Sequence, residues 1–170
     1  VANVDQAVVV FSIKDPMPNM TLLDKMIVLA EHAALDVVVC FNKSDLDLNF
    51  DFETYREIYE AAGYKVLKTC ALTQDGIDDL VEVLAGKINV FSGPSGAGKS
   101  SLLNAIAGYA VETGEVSSKI KRGKHTTRHS ELFEIINGGI IVDTPGFTSL
   151  SVSEVDPEAL ADYFPEFKKH

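Results

Sequence analysis

The stretch from Gly93 to Ser100 constrains the fold of this chain more than any other part of the sequence. It reads Gly-Pro-Ser-Gly-Ala-Gly-Lys-Ser and fits the phosphate-binding pattern G-x-x-x-x-G-K-[ST]. The glycines let the backbone curl and direct its N–H groups at phosphate oxygens. The ammonium of Lys99 can reach the β- and γ-phosphates, and the Ser100 hydroxyl can bind Mg²⁺. A predicted strand over 87–92 and a predicted helix from 102 onward supply the usual context of a P-loop.

The P-loop predicts nucleotide binding without selecting the nucleotide, since a guanylate kinase or a transport ATPase would carry a similar sequence. The residues predicted to surround the phosphates are Gly93, Pro94, Ser95, Gly96, Ala97, Gly98, Lys99, Ser100 and Ser101. The specificity must therefore be inferred from the rest of the chain.

Strand and helix patterns alternate along the chain, which has 170 residues of which 46% are hydrophobic. Continuous apolar runs predict buried strands, and amphipathic segments predict helices between them. The predicted strands cover 6–13, 37–41, 65–69, 87–92, 131–136 and 140–142. The predicted helices cover 21–34, 51–62, 77–84 and 157–163, in addition to the helix that starts at 102. This pattern predicts one α/β domain with a three-layer P-loop NTPase fold and a mostly parallel sheet, in which 131–136 forms an antiparallel edge strand.

The tetrapeptide from Asn42 to Asp45, Asn-Lys-Ser-Asp, follows directly after the second predicted strand, where ligands bind in open α/β sheets. The Asp45 carboxylate can accept hydrogen bonds from guanine N1–H and the 2-amino group together, a donor pair that adenine lacks. Asn42 is expected to meet the O6/N7 edge, and Lys43 to pack its stem on the base or on the loop. A plain turn is the alternative, since Asn, Ser and Asp are turn residues.

Two further loops carry candidate site residues. The small residues Cys70 and Ala71 follow the third predicted strand and would let backbone N–H groups approach guanine O6. The segment from Asp143 to Gly146, Asp-Thr-Pro-Gly, follows the last predicted strand. Asp143 is predicted to hold Mg²⁺ through water, and the Gly146 N–H to meet the γ-phosphate. A structural turn is the alternative for each loop.

Basic residues are concentrated in a segment predicted to be a mobile loop, which extends from 108 to 130. The net charge is −10, yet residues 116–130 contain no acidic residue and hold five of the fifteen Lys and Arg side chains. They are Lys119, Lys121, Arg122, Lys124 and Arg128. A solvated loop and an RNA contact both remain open for this segment. A threonine within it, Thr126 or Thr127, is a candidate Mg²⁺ ligand in the GTP state, with Thr127 preferred.

Two cysteines make no disulfide framework, and no apolar run approaches the 18 residues of a membrane span. We therefore expect a cytoplasmic protein. We also expect that it acts as a monomer, with neither a membrane nor DNA as its partner. The first residues, Val-Ala, lack an initiator Met, which suggests a fragment.

The motifs together resemble a translation-factor-class GTPase in shifted order. The usual order is P-loop, switch threonine, D-x-x-G, N-K-x-D and then the small-residue base loop, whereas here the last two come first. The chain is therefore predicted to be circularly permuted, with Ala85-Gly86 joining what would be the two termini. Over essentially all 170 residues it resembles the ribosome small-subunit-dependent GTPase A family, with Val1 to Gln6, Gly123 to Thr127 and Phe147 as further telling positions.

The resemblance implies GTP hydrolysis with Mg²⁺, stimulated by the 30S subunit late in its maturation, with 16S rRNA as the candidate partner of the basic segment. It offers His125 as the residue that orients the attacking water, because Phe147 stands where many GTPases have Gln. A solvated loop residue is the alternative for His125. The resemblance also implies an N-terminal OB-fold and a C-terminal zinc module, both outside this chain, and no zinc site is predicted here. A GTP-binding conformational timer and, at lower rank, a nucleotide kinase are the competing functions.

Overall fold

The computed structural model describes residues 3–46, 49–112, 131–135, 138–143 and 160–165. The strands are β1 (Gln6–Ser12), β2 (Asp36–Asn42), β3 (Lys65–Lys68), β4 (Ile88–Ser92), β5 (Glu131–Glu134) and β6 (Ile140–Asp143). The helices are α1 (Met20–His32), α2 (Phe52–Ala62), α3 (Ile77–Leu84) and α4 (Lys99–Glu112), and a 3₁₀-helix spans Leu160–Tyr163. No helix in the described part of the chain is both long and apolar enough to span a membrane.

The six strands form one sheet in the order β3-β2-β1-β4-β6-β5. Neighbouring strands are parallel throughout, except that β5 runs antiparallel to β6 at the edge. Parallel strands direct their carboxyl ends to the same edge, so β1, β2, β3, β4 and β6 all end at one edge of the sheet. The predicted sheet, including its antiparallel edge strand, is confirmed.

The sheet is covered on both faces, which explains why β1 is buried along its whole length. On one face Val8 and Val10 of β1 pack with α3 and α4. On the other, Val9 and Phe11 pack with α1 and α2. Two apolar cores on either side of one sheet make the predicted three-layer architecture.

Local sequence signals set the helix ends. Asn19 caps α1, since its side-chain oxygen accepts a hydrogen bond of 3.0 Å from the Leu22 N–H. Asp51 caps α2 in the same way, and its hydrogen bonds from the Thr54 hydroxyl and N–H lower the pKa of the carboxyl. Helix α2 ends at Gly63, whose φ of +107° is a left-handed conformation that favours glycine.

Two local predictions are wrong. The pattern of the first helix predicts that Leu22 and Leu23 both face the core, but Leu22 is 38% exposed and only Leu23 is buried. The predicted loop begins at Gly108, whereas α4 continues to Glu112. A single glycine costs a helix only about 1 kcal/mol, which a packed helix tolerates. The rest of the predicted loop, 113–130, lies outside the described residues.

Candidate functional site

Glycines of the P-loop permit close approaches that a side chain would prevent. Gly93 has a φ of +144°, and a Cβ there would collide with the Val10 carbonyl of β1. Gly98 has a φ of +92°, and a Cβ there would collide with the side-chain amide of Asn42. The loop is therefore packed tightly against both β1 and the end of β2, and glycine is required at both positions.

The Lys99 ammonium lies inside the loop. It donates hydrogen bonds of 2.7 Å to the Gly93 carbonyl and 2.9 Å to the Pro94 carbonyl. Helix α4 begins at this lysine, so the positive end of the helix faces the loop. A cation, a helix N-terminus and a curled backbone are together the features of a phosphate-binding site.

Asn42 joins three segments of the site and is only 1% exposed. Its side-chain NH₂ donates to the P-loop carbonyl of Ala97 at 3.0 Å. Its side-chain oxygen accepts from the Thr69 hydroxyl and from the Ala71 N–H, both at 3.3 Å. This buried amide therefore holds the P-loop and the loop of Cys70 and Ala71 together, and a contact of Asn42 with the O6/N7 edge of guanine stays a prediction.

The Thr69 hydroxyl is a part of the site that the sequence analysis missed. It is completely buried and lies 3.3 Å from the Cys40 thiol. Burial raises the pKa of the Cys40 thiol to about 12, so this group stays protonated and can donate to Thr69. Thr69 then donates to Asn42. Its only sequence signal is a polar residue at the end of a buried strand.

Residues 43–45 form the turn that directly follows β2. Lys43 has a φ of +62° and donates a hydrogen bond from its ammonium to the carbonyl of Asp15, in the loop after β1. Asp45 is exposed and accepts a hydrogen bond of 3.1 Å from the Cys70 thiol. The carboxylate of Asp45 thus lies beside the loop of Cys70 and Ala71, as the reading of one base by both loops requires.

Leu72 is a second residue that the sequence analysis missed. It follows Ala71 directly and is 83% exposed, the highest exposure among the large apolar residues recorded. An exposed leucine next to the predicted base-reading residues Cys70 and Ala71 offers an apolar surface that suits the flat face of a base. Nothing in the local sequence pattern distinguishes it from an ordinary turn residue.

The predicted metal ligands are only partly described. Ser100 lies in the first turn of α4, and Asp143 ends β6, the strand next to β4 in the sheet. The two residues therefore follow adjacent strands at one edge, and hydroxyl and carboxylate oxygens suit Mg²⁺. Among the described residues, no group of three or more His, Cys, Asp or Glu forms a metal site. The predicted residues His125, Thr126, Thr127 and Gly146 lie outside the described residues.

An Asn-Lys-Ser-Asp turn after β2, a small-residue loop after β3 and a P-loop after β4 define a circularly permuted P-loop GTPase. Known proteins agree with this class. A family model described as RsgA GTPase matches residues 1–153. The chain belongs to the RsgA GTPase family.

Curated relatives and solved structures support this membership. The chain is 51% identical over 169 residues to the small ribosomal subunit biogenesis GTPase RsgA of Alkaliphilus metalliredigens (strain QYMF), covering 99% of this chain and 58% of that protein. The crystal structure of YjeQ from Thermotoga maritima matches with 41% identity and a TM-score of 0.80, covering 98% of this chain and 56% of that one. YloQ, described as a circularly permuted GTPase, matches with 37% identity and a TM-score of 0.77, covering 98% of this chain and 53% of that one. The chain thus spans little more than half the length of these relatives.

Proposed function

We propose that this chain is the GTP-binding and GTP-hydrolysing domain of a factor that acts in the late maturation of the 30S ribosomal subunit. One observation carries the nucleotide part of the proposal. The Asn42 amide bonds to the P-loop and to the base loop at once, so that phosphate binding and base reading share one rigid frame. The names of the curated relatives, which are small ribosomal subunit biogenesis GTPases, support the ribosomal part.

Base recognition rests on Asp45, whose carboxylate would accept from guanine N1–H and the 2-amino group. Adenine has no such donor pair, and its N1 lone pair would face the carboxylate, so ATP is excluded. Cys70 and Ala71 lie on the loop that contacts Asp45 through the Cys70 thiol. Their N–H groups bond to the Asp75 carbonyl and to the Asn42 side-chain oxygen in the structure, so either N–H would have to exchange its bond to meet guanine O6. Lys43 supports the turn through its bond to the Asp15 carbonyl.

Phosphate recognition and hydrolysis rest on the P-loop. The backbone N–H groups and Lys99 would hold the β- and γ-phosphates, with Lys99 exchanging its bonds to Gly93 and Pro94 for phosphate oxygens. Ser100 and Asp143, joined by Thr127 in the GTP state, would hold Mg²⁺. When bound, Mg²⁺ supplies positive charge that stabilises the charge developing on the phosphate oxygens. The N–H of Gly146 would meet the γ-phosphate.

Water activation is assigned to His125. Its imidazole would orient the attacking water, in the role that Gln has in many GTPases. Because this residue lies in the basic segment, we infer that contact with 16S rRNA through Lys119 to Arg128 sets its position and stimulates hydrolysis. Slow turnover by the isolated chain follows from this assignment. The protein is inferred to act as a cytoplasmic monomer.

The test is GTP turnover by the chain with and without small ribosomal subunits, with ATP as the control nucleotide. We expect slow hydrolysis of GTP alone, stimulation by the subunits and no hydrolysis of ATP. GTP binding without turnover under either condition would favour the conformational timer instead. Turnover of ATP would remove the guanine assignment.

The matched variant is His125→Ala. It should abolish the stimulated rate while leaving the Kd for GDP unchanged, because GDP has no γ-phosphate for the water to attack. Equal stimulated rates in the two proteins would contradict the role of His125.

A further inference from the structure

The loop after β1, residues 13–19, packs against the P-loop. A Cβ built on Gly96 would lie 3.3 Å from Cδ of Pro16, so the proline ring lies within contact range of this glycine. Among the described residues, no atom of any other segment lies within 4 Å of that Cβ position. Pro16 is therefore the neighbour that limits the movement of Gly96.

Gly96 lies at a bend of the P-loop. Its φ is +80°, the value of the third residue in a type II turn. The Ala97 N–H closes this turn with a hydrogen bond of 3.3 Å to the Pro94 carbonyl. Residues 94–97 are called the P-loop turn below. Ser95 and Gly96 are both exposed, so the apolar core does not hold this bend in place.

Two other segments hold the P-loop turn. The first is the end of β2, where the Asn42 side-chain NH₂ donates to the Ala97 carbonyl at 3.0 Å. The second is the loop after β1, through the contact of Pro16 with Gly96. The hydrogen bond fixes the end of the P-loop turn, whereas the proline ring contacts its exposed bend.

The loop that carries Pro16 is itself anchored. The Ile13 N–H donates to the Asn42 carbonyl at 3.0 Å, and the Lys43 ammonium bonds to the Asp15 carbonyl. Proline adds stiffness of its own, because its ring fixes φ. A rigid ring on an anchored loop is suited to keep the P-loop turn in one conformation.

We infer that Pro16 is a positioning residue for phosphate binding, acting through the conformation of the P-loop turn. The inference rests on the proposed function, in which backbone N–H groups of the P-loop bind the phosphates. It adds the residue that keeps the turn in its binding conformation before the nucleotide arrives. Such preorganisation raises affinity, because a loop that is already ordered loses little freedom on binding.

The experiment compares GDP with GMP, which keeps the base and the ribose but lacks the β-phosphate. Kd values are measured by competition with a fluorescent GDP analogue. We expect Pro16→Ala to weaken GDP binding about three- to tenfold, because the nucleotide must then order the P-loop turn itself. GMP makes fewer contacts with the P-loop, so its affinity should change by less than about twofold. The affinity advantage of GDP over GMP therefore falls in Pro16→Ala.

The control variant is Pro18→Ala, which removes a proline from the same loop. Both variants lose the restriction that a proline places on the unfolded chain, so their free energies of unfolding should fall alike. Pro18 does not lie within 4 Å of the Cβ position of Gly96. The advantage of GDP over GMP should therefore remain that of the wild-type chain.

A second test uses Gly96→Ala, whose new Cβ would press on the Pro16 ring. The loss of GDP affinity caused by this substitution should be about threefold smaller in the Pro16→Ala background than in the wild-type background, because the ring is no longer in the way. Equal losses in the two backgrounds would show that the two residues do not interact and would overturn the inference.

The comparison of GDP with GMP can also overturn it. Equal weakening of the two nucleotides in Pro16→Ala would describe a merely structural loop residue, and an unchanged GDP affinity would show that the ring has no role. If Pro16→Ala does not fold, Gly96→Ala decides alone, and equal weakening of both nucleotides there overturns the inference. A wild-type chain that binds ADP as tightly as GDP would instead contradict the proposed base recognition, while the advantage of GDP over GMP would still test Pro16.

Discussion

Two buried asparagines, Asn42 and Asn89, lie at opposite ends of the strands of the sheet. Each holds segments together that are distant in the sequence, but the segments held by the two residues differ. Asn42 ends β2 at the carboxyl edge, and Asn89 lies near the start of β4 at the amino edge. They are 1% and 0% exposed, respectively. Each is a fully desolvated amide that ties together segments distant in the sequence.

The partners of the two amides differ. Those of Asn42 are loops that would face a ligand, namely the P-loop and the base loop. Those of Asn89 are the Leu84 carbonyl at the end of α3, the Lys87 carbonyl and the Ile140 carbonyl of β6, while its own oxygen accepts from Gln6. Leu84 and Lys87 flank Ala85-Gly86, which is the connection expected to join the two original termini. The loops at the carboxyl edge of the sheet therefore build the site. The hydrogen bonds of Asn89 at the amino edge hold Ala85-Gly86, the connection that the permutation requires and that is called the joint below.

Permutation separates function from connectivity in this fold. The order of the chain changes at the amino edge, where Gln6, Lys87 and Asn89 form a polar network. The loops at the carboxyl edge keep their relative positions because these depend on strand order in the sheet, which permutation leaves unaltered. Substitutions at the two edges should therefore have separable effects on binding and on stability.

The largest expected effect is on binding and comes from Asp45→Asn. The amide replaces an acceptor with a donor that faces guanine N1–H, so GDP affinity should fall about 100- to 1,000-fold. Xanthosine diphosphate, with a carbonyl in place of the 2-amino group, should gain affinity in the same variant. Because Asp45 is exposed, the free energy of unfolding should change little. Unchanged GDP affinity in this variant would show that the base lies elsewhere.

The two asparagines themselves give the next prediction. Asn89→Ala leaves several buried groups unsatisfied and should lower the free energy of unfolding by about 3 kcal/mol, measured by urea denaturation. The GDP affinity of the protein that remains folded should stay within about twofold of wild type. Asn42→Ala should lower GDP affinity about 30-fold, because the P-loop and the base loop lose their common anchor.

Equal losses of GDP affinity in the two asparagine variants, compared at the same folded fraction, would contradict the claim that the two edges of the sheet control binding and stability separately. That result would mean that the polar network of Gln6, Lys87 and Asn89 also affects the geometry of the nucleotide site.

Two glycines, Gly98 at the carboxyl edge and Gly86 at the amino edge, test the same difference between the edges with smaller expected effects. Gly98→Ala places a Cβ against the Asn42 amide at a φ of +92°, so GDP affinity should fall by about tenfold or more. Gly86 at the joint has a φ of +67° but open space around the position of a Cβ. Gly86→Ala should therefore cost only the left-handed conformation, about 1 kcal/mol of stability, with binding intact. Calorimetry and urea denaturation on both variants check this, and a loss of binding in Gly86→Ala would contradict it.

The smallest expected effect is that of Lys87→Met. The Lys87 ammonium bonds to Gln6 at 2.7 Å and to Asp36 at 2.8 Å, but the side chains of Lys87 and Asp36 are 38% and 69% exposed. Exposed ion pairs contribute little, so we expect a loss of about 0.5–1 kcal/mol in the free energy of unfolding. Part of this difference should disappear in 1 M salt, since screening acts on the ion pair. A loss as large as that of Asn89→Ala would show that the network depends on Lys87 and not on the buried amide.

The sequence predicts the residues that act at the carboxyl edge of the sheet much better than those that act at the amino edge. Asn42 belongs to a motif whose position after an apolar strand indicates guanine recognition. The P-loop is identified in the sequence by its glycines and its lysine. The same is true of the sheet, whose apolar runs and amphipathic helices indicate three layers. Asn89 stands in an apolar strand with no motif around it, and its role appears only when α3, β4 and β6 are placed side by side. The role of Thr69 and the contact of the Cys70 thiol with Asp45 escaped for the same reason, since these side-chain bonds join positions 27 and 25 residues apart.

Equilibrium binding of GDP and ADP to this chain, measured by calorimetry in the presence of Mg²⁺, tests the central claim most directly. That claim is that loops in permuted order build one guanine-nucleotide site. The account predicts that GDP binds at least about 100-fold more tightly than ADP, because only guanine satisfies Asp45. Equal affinities for the two nucleotides, or no binding of either, would contradict it.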